Sequence, residues 1–454
     1  MSTRITKIFT FILLSLYTSA AWAQKPLDSY VADALKNNTG VREQQFQLEK
    51  ALQALHEAKT LFLPSVTMLG SYTKAAGGRT IDIPIGDLLN PVYGTLNQLT
   101  NTHNFPTLEN ASVLLNPDNF YDVKFRTSMP LINAEVYYNK NVKKLAISLQ
   151  QASANVYKRA LVKDVKVAYY QYYQAEQAVA IYKEAEKLID KNITVNESLL
   201  RNGVRTSTAL TRAQTEKQKI NAQITQSENT AKNAQAYFNF LLNKPFSSEI
   251  VFDSTYSPAG EMAMDLSSGD NSVSGREELQ QLRLKQSMFD VNKKLQQSFI
   301  IPKLNTFVDL GSQGFNWKVN DKSAYYLFGI NLEWNLFAWG QHNYKVKQAQ
   351  LDINTTQLQY EGTERAFRLQ LTQAMNDYNS AVSNYNSAKA QKRLAAKYYA
   401  DQFKAYKEGQ LLYIELIDAQ NQLTIADLQL SVAFANVQIA KAETERNLTT
   451  YPLN

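Results

Sequence analysis

Glu415 and Asp418 lie three residues apart in a stretch with helical spacing, which puts both carboxylates on one face of a helix. They follow Gly409 by six and nine positions. Arranged around an axis by several copies of the chain, such a pair becomes a ring of acids, the kind that selects cations and binds polyvalent ones. The plainer alternative is two solvated acids on a helix surface. Other residue types offer less chemistry. The 454-residue chain contains no cysteine, which excludes disulfides, thiolate metal sites and thiol nucleophiles. Its three histidines, His56, His103 and His342, have no metal-ligand spacing. There is no nucleophile elbow and no phosphate loop. No enzyme, cofactor or metal is therefore expected. The net charge of +7 is mild for this length, and no block rich in lysine or arginine occurs. That argues against nucleic acid as a partner.

The elements that must position those acids are written twice. Asn202-Gly203 leads to Leu210 and Ala213-Gln214, and Glu408-Gly409 leads to Leu416 and Ala419-Gln420, at a constant offset of 206 residues. Ala168, Tyr172, Ala175 and Leu188 recur at that offset as Ala374, Tyr378, Ala381 and Leu394. Leu63-Pro64-Ser65 and Ile301-Pro302-Lys303 open the two halves. Duplication of this kind marks a unit that cannot bury its apolar face alone and packs on its copy.

After Gly409, residues Leu412, Leu416, Ala419, Leu423, Ala426, Leu430, Ala433, Val437 and Ala440 fall at alternating steps of four and three. A 3.5-residue period is the seam of supercoiled helices. Leu210, Ala213, Ile220, Ile224, Ala231, Ala234 and Phe238 form a weaker first copy, interrupted by Lys217 and Ser227. The preceding stretches, 134–200 and 341–406, contain no proline. At about 1.5 Å per residue each reaches on the order of 100 Å as a helix, far more than a globular core needs. Gly203-Val204 and Gly409-Gln410 then read as the turns between antiparallel helices, because glycine takes the left-handed conformation that ends a helix.

Between the helices the period changes to two. Tyr121, Val123 and Phe125 alternate with Asp122, Lys124 and Arg126. In the second half Tyr326, Phe328, Ile330, Leu332 and Trp334 share one face. Val66, Met68, Gly70 and Tyr72, and Leu304, Thr306, Val308 and Leu310, mark an earlier strand in each half. Strands near ten residues with one apolar face suit an outer-membrane barrel, whose apolar side meets lipid. Four strands cannot close a barrel, and an open edge in lipid leaves backbone groups unpaired. Pooling strands among three copies gives about twelve, enough to close one.

The expected organisation follows. Residues 1–23 read as a secretory signal peptide, with Arg4 and Lys7 at the start, an apolar Ile8 to Leu16 and Ala21-Trp22-Ala23 before the cut. No later apolar run reaches the length of a spanning helix, about 20 residues. The first repeat, 24–242, holds a helix, the strand pair 65–73 and 120–130, a long helix 134–200, a tip near 203 and a helix 206–242. Residues 74–119, carrying Gly77-Gly78, Pro84, Pro91, Pro106 and Pro117, form an external loop that caps the mouth or contacts other proteins, or is simply passive. Residues 243–276 link the repeats and pack as a belt. The second repeat, 277–454, holds a helix, the strand pair 303–311 and 325–336, a long helix 341–406, a tip near 409 and a helix 411–448.

This doubled order of signal, helix, Leu-Pro and strand, strand, long helix and Gly-x6-Leu-x2-Ala-Gln helix resembles the TolC-type outer-membrane efflux and secretion channels. The run Phe328-Gly329-Ile330-Asn331-Leu332-Glu333-Trp334-Asn335-Leu336-Phe337, followed by Trp339-Gly340-Gln341, is similar to that family's second-repeat strand entering its long helix. The resemblance covers essentially the whole mature chain. It implies a mainly α protein with membrane β: a homotrimer with a twelve-stranded β-barrel in the outer membrane, continuous with a long periplasmic α-helical coiled-coil barrel closed at the helix tips. It implies an exit duct, passive in itself, serving a tripartite efflux pump or a type I secretion system. The implied partners are outer-membrane lipid, a periplasmic adaptor (membrane fusion) protein docking at Gly203, Val204, Gly409 and Gln410, and an inner-membrane pump or ABC transporter. The family's narrowest point carries acids at the offsets of Glu415 and Asp418, and Tyr406 matches a tyrosine of its closed state, seam packing being the plainer role. Leu411 stands where the family has an arginine and Ala209 where it has an acid, which leaves Arg205 as a substitute closed-state contact. The alternative from another class is a periplasmic coiled-coil adaptor or scaffold without a pore.

Overall fold

Sequence stretches without proline and with a 3.5-residue seam fold into single long helices here, and stretches of period two fold into one sheet. The computed structural model describes residues 26–252 and 273–453; the expected signal peptide, and residues 253–272 of the inter-repeat link, lie outside the described residues. In chain order the elements are α1 (Pro26–Asn37), α2 (Thr39–Thr60), β1 (Ser65–Thr73), β2 (Thr80–Ile83), α3 (Ile85–Thr100), β3 (Ala111–Leu114), β4 (Phe120–Ile132), α4 (Ala134–Arg201), α5 (Ser207–Leu241), α6 (Glu277–Gln297), β5 (Lys303–Phe315), β6 (Ala324–Glu333), α7 (Gln341–Lys407) and α8 (Tyr413–Leu448). Helices α4 and α7 run for 68 and 67 residues. The chain divides into two units: one comprises residues up to Leu52, Leu145–Met288 and Asp352 onward, the other Gln53–Lys144 and Phe289–Leu351.

In the helical unit much of the seam is buried. Leu416, Ala419, Ala426, Ala433 and Val437 are buried on α8, and Ala213, Ile220, Ala231 and Phe238 on α5. Leu412 departs from the seam, because it precedes the first turn of α8 and is exposed. Aromatic residues fill the core where α1, α4, α5 and α8 meet: Tyr30 meets Phe238 edge-on at 5.2 Å, and Tyr173 packs on Phe434 at 5.5 Å. Near the start of α6 the Arg276 guanidinium, 2 % exposed, lies 3.5 Å over the Phe367 ring and donates to Glu278 at 2.8 Å and Asn447 at 3.1 Å. Burial pushes the Glu278 carboxyl up, yet its hydrogen bonds and attraction to Arg276 outweigh that and hold it below the usual carboxylate range. Helix α8 is also long and apolar enough to cross a bilayer by length and composition. The sequence reading found no such segment, because alanines, leucines and valines there are interleaved with Gln, Asn and Asp. Its seam packs on other helices, while Ile414, Ile425 and Val432 beside it are exposed.

The second unit holds an antiparallel four-stranded sheet in the order β1-β4-β5-β6. Its register stacks Met68, Phe125, Leu310 and Tyr326 in one row across all four strands, with Val66, Thr127, Val308 and Phe328 in another. Successive residues alternate faces, so the row between them, Thr67, Arg126, Asp309 and Leu327, lies on the opposite side. There Arg126 grips Asp309 with two parallel bonds, 2.7 Å from Nε and 2.6 Å from Nη2. Lys124 and Tyr325 both donate to Asp122, each at 2.7 Å. Gly329 leaves room for the Phe307 ring, which any Cβ at that position would strike. One face is therefore apolar and the other carries paired charges. Strands β1 and β6 each pair on one side only, so a single chain leaves two open edges.

The 74–119 segment differs from a featureless loop. It contains α3 and a two-stranded ribbon in which Thr80–Ile83 pairs with Ala111–Leu114.

Candidate functional site

Both hairpin tips are built the same way. Gly203 and Gly409 have φ of 68° and 81°, the left-handed region that a β-carbon disfavours. After each, the next residue turns back to the helix: Val204 N–H donates to the Leu199 carbonyl at 2.9 Å, and Gln410 N–H to the Ala405 carbonyl at 3.1 Å. These bonds satisfy carbonyls that a helix end leaves open. Val204 and Gln410 are exposed at the tips.

Arg205 joins the two tips. Its Nη2 donates to the Leu411 carbonyl at 2.7 Å and to the Gly409 carbonyl at 3.3 Å, while its guanidinium lies 5.3 Å from the centre of the Tyr406 ring. The partners of Arg205 are backbone carbonyls, the negative ends of peptide dipoles. Tyr406 is fully buried and donates its hydroxyl to Asn196 Oδ1. Asn196 Nδ2 donates to the Asn192 carbonyl at 2.8 Å, Asn192 Nδ2 to Gln420 Oε1 at 2.6 Å, and Gln420 Nε2 to the Ala185 carbonyl at 3.3 Å. Asn192, Asn196 and Gln420 are all buried, so a polar chain runs through an otherwise apolar tip core. Burial raises the Tyr406 hydroxyl, pushes Tyr399 up to about 12, and raises Tyr413 beside it. Sequence reasoning missed Asn192 and Asn196. Their signal was there: two asparagines one helical turn apart on the face that α4 turns to the seam.

Glu415 and Asp418 are exposed. Glu415 Oε2 accepts the Leu412 N–H at 3.0 Å, so this acid also satisfies a donor at the open start of α8. Asp418 Oδ2 accepts from Gln422 Nε2 at 2.7 Å. Their neighbours Leu416 and Ile417 are buried, which fixes the acids outward.

On the sheet, Phe125, Tyr326, Phe328, Ile330, Leu332 and Trp334 are exposed, Tyr326 to 81 %. Val123 on the same face is half-buried, and Trp334 lies one residue beyond the end of β6. Tyr121 differs from the lipid-facing role expected of it. It is 2 % exposed, covered by Trp317, whose ring stacks on it at 5.3 Å, and its hydroxyl donates to the Lys318 carbonyl. Trp317 stacks on Tyr72 as well, at 5.4 Å. Aromatic residues thus gather at both ends of the apolar face: Tyr72 and Trp317 at one, Trp334, Phe337 and Trp339 at the other. Girdles of this kind flank the apolar band of membrane barrels.

Residues 270–447 match the family of outer membrane efflux proteins. No curated protein matches the chain in sequence. Among solved structures, the fold is similar to that of CusC, at TM-score 0.75 and 14 % identity over 96 % of this chain and 95 % of that one. It is similar to the CmeC outer membrane channel of Campylobacter jejuni, at TM-score 0.71 and 14 % identity over 93 % and 85 %. It is also similar to the MtrE outer membrane channel of Neisseria gonorrhoeae, at TM-score 0.70 and 14 % identity over 95 % and 93 %. At such low identity these likenesses establish the fold along the chain, while the family match rests on the second repeat. The family match is thus confined to residues 270–447, and what the solved structures share with the chain as a whole is the fold.

Proposed function

We propose that this chain is the exit duct of a tripartite efflux pump or a type I secretion system. Three copies close a twelve-stranded barrel in the outer membrane and a helical barrel in the periplasm, and the duct conducts substrates passively. The observation that carries this reading is the sheet: two open edges, one exposed apolar face with aromatic ends, and a reverse face of paired charges. An open sheet in lipid is untenable, so the edges call for other copies, and the charged face then lines water. A pore-free periplasmic scaffold gains nothing from exposing Tyr326, Phe328, Ile330 and Leu332 to solvent.

The tips are the closed end of the duct and the docking place of a periplasmic adaptor, itself coupled to an inner-membrane pump or ABC transporter. Gly203, Val204, Gly409 and Gln410 are the exposed tip residues that an adaptor meets. Arg205 and Tyr406 hold the two hairpins of one chain together, and opening separates them. Glu415 and Asp418, repeated threefold, form an acidic aperture that selects cations. No step of this transport needs catalysis.

Extraction tests the reading. The mature protein should leave membranes only with detergent and run as a trimer that heat dissociates. A soluble, elongated oligomer obtained without detergent would favour the scaffold instead.

A further inference from the structure

Helix α3, inside the segment between β1 and β4, has two faces of different character. One is clamped. Asn90 Nδ2 donates to the Leu108 carbonyl at 2.9 Å while Asn90 Oδ1 accepts the Leu108 N–H at 2.8 Å. Seven residues on, Asn97 repeats this with Phe105, at 2.8 and 3.2 Å. Gly86 lies so close to the Leu108 carbonyl that a β-carbon there would collide with it. The returning chain is thus fastened along the helix by side-chain amides that mimic a backbone ladder.

The other face is apolar and largely exposed. Ile85, Leu89, Val92, Leu96 and Leu99 recur at steps of four, three, four and three, the same 3.5-residue seam found in α8. At about 100° per residue they centre about 120° around the helix from Gly86, Asn90 and Asn97. On this seam Val92 and Leu99 are 51 and 78 % exposed, Ile85 and Leu89 36 % each and Leu96 is half-buried, while Leu88 on its flank is 68 % exposed. A seam of this period is a helix-pairing pattern, and among the described residues no helix covers it.

We infer that the seam of α3 is covered by the same helix of the other two copies, so that three α3 helices pack together as a cap over the mouth of the duct. Two features favour copies of this chain over a lipid surface. Residues 74–119 hold two basic side chains, Lys74 and Arg79, against four acidic ones, Asp82, Asp87, Glu109 and Asp118, and α3 has no basic residue, unlike helices that lie on anionic lipid. The insertion also leaves the sheet at Thr73 and returns at its paired residue Phe120, at one end of edge strand β1. Closing the sheet through that edge therefore brings three insertions to the same rim. This inference rests on the trimeric duct proposed above.

The absence of native cysteine makes a direct test possible. Val92→Cys and Gln98→Cys are each placed in the full chain, purified in detergent, and treated with a short bismaleimide, with assembly measured independently by native mass. The cap predicts covalent dimers and trimers from Val92→Cys and at least tenfold less from Gln98→Cys, which lies off the seam. In planar bilayers Leu88→Asn/Val92→Asn should enlarge the conductance about twofold or more, since the clamped face keeps the helix folded. Intact trimers in which Val92→Cys links no better than Gln98→Cys would overturn the cap and leave the duct standing. Labelling of Val92→Cys by a bilayer-soluble maleimide in place of cross-linking would assign the face to lipid and likewise overturn it. A monomeric native mass would remove both the cap and the duct.

Discussion

Tyr406 illustrates how one buried hydroxyl sets the character of the tips. Its partner Asn196 is buried among apolar residues, so losing the hydroxyl leaves an amide oxygen without a donor. Tyr406→Phe is therefore expected to cost about 1–3 kcal/mol locally, read as faster hydrogen exchange in residues 192–206 and 403–416. Arg205→Ala removes both carbonyl contacts between the tips and should raise the frequency of open events in single-channel records. The buried tyrosines add a pH signature. Tyr399 is raised to about 12 and Tyr413 is raised too, both above the ordinary tyrosine value. Their contribution is complete below pH 10 and is lost as pH climbs through the folded values, because only the unfolded chain ionises in that window. Tip stability should thus fall above pH 10, by about 1.4 kcal/mol per pH unit for each tyrosine. Tyr399→Phe should flatten that slope; an unchanged slope would show that Tyr399 does not titrate in the fold.

At the scale of elements, the doubled Gly-x6-Leu-x2-Ala-Gln pattern pointed to turns at Gly203 and Gly409, and the left-handed φ at both gives the physical reason for the glycines. No atom crowds either site, so Gly409→Ala tests backbone strain alone. It should destabilise the tip by roughly 1–2 kcal/mol, seen as exchange near residues 404–412. The seam of α8 was legible because burial follows the 3.5 period. The buried Asn192–Gln420 bond was not, since polar residues on a helix read as wet until a partner from a distant segment is in place. Helix α3 escaped notice for a different reason. Pro91, Gly86 and Gly94 are helix breakers by local preference, and the bonds of Asp87, Asn90 and Asn97 to the returning chain offset them. Tyr121 belongs here too: alternation gave its face, but the covering ring of Trp317 comes from a turn with positive φ that strand period cannot reveal.

At the scale of the whole molecule, two open sheet edges carry most of the argument. The repeat of helix, strand pair and helix made the architecture legible from order alone, and the register adds that apolar and charged rows alternate across all four strands. Asp309 is 1 % exposed and its partner Arg126 is its charged neighbour in the row. Arg126→Ala should therefore lower the heat stability of the trimer, read as a lower temperature of heat dissociation, with Arg126→Lys restoring only part. The role of Glu415 and Asp418 is decided at this scale, because one copy shows a helix-start contact for Glu415 and only three copies make a ring. Conductance of the purified protein in planar bilayers, beside Glu415→Gln/Asp418→Asn, is the most direct test of the duct. The account predicts small, cation-selective steps that multivalent cations block, and larger or less selective steps in the double variant. Protein that stays soluble without detergent and never conducts would contradict it.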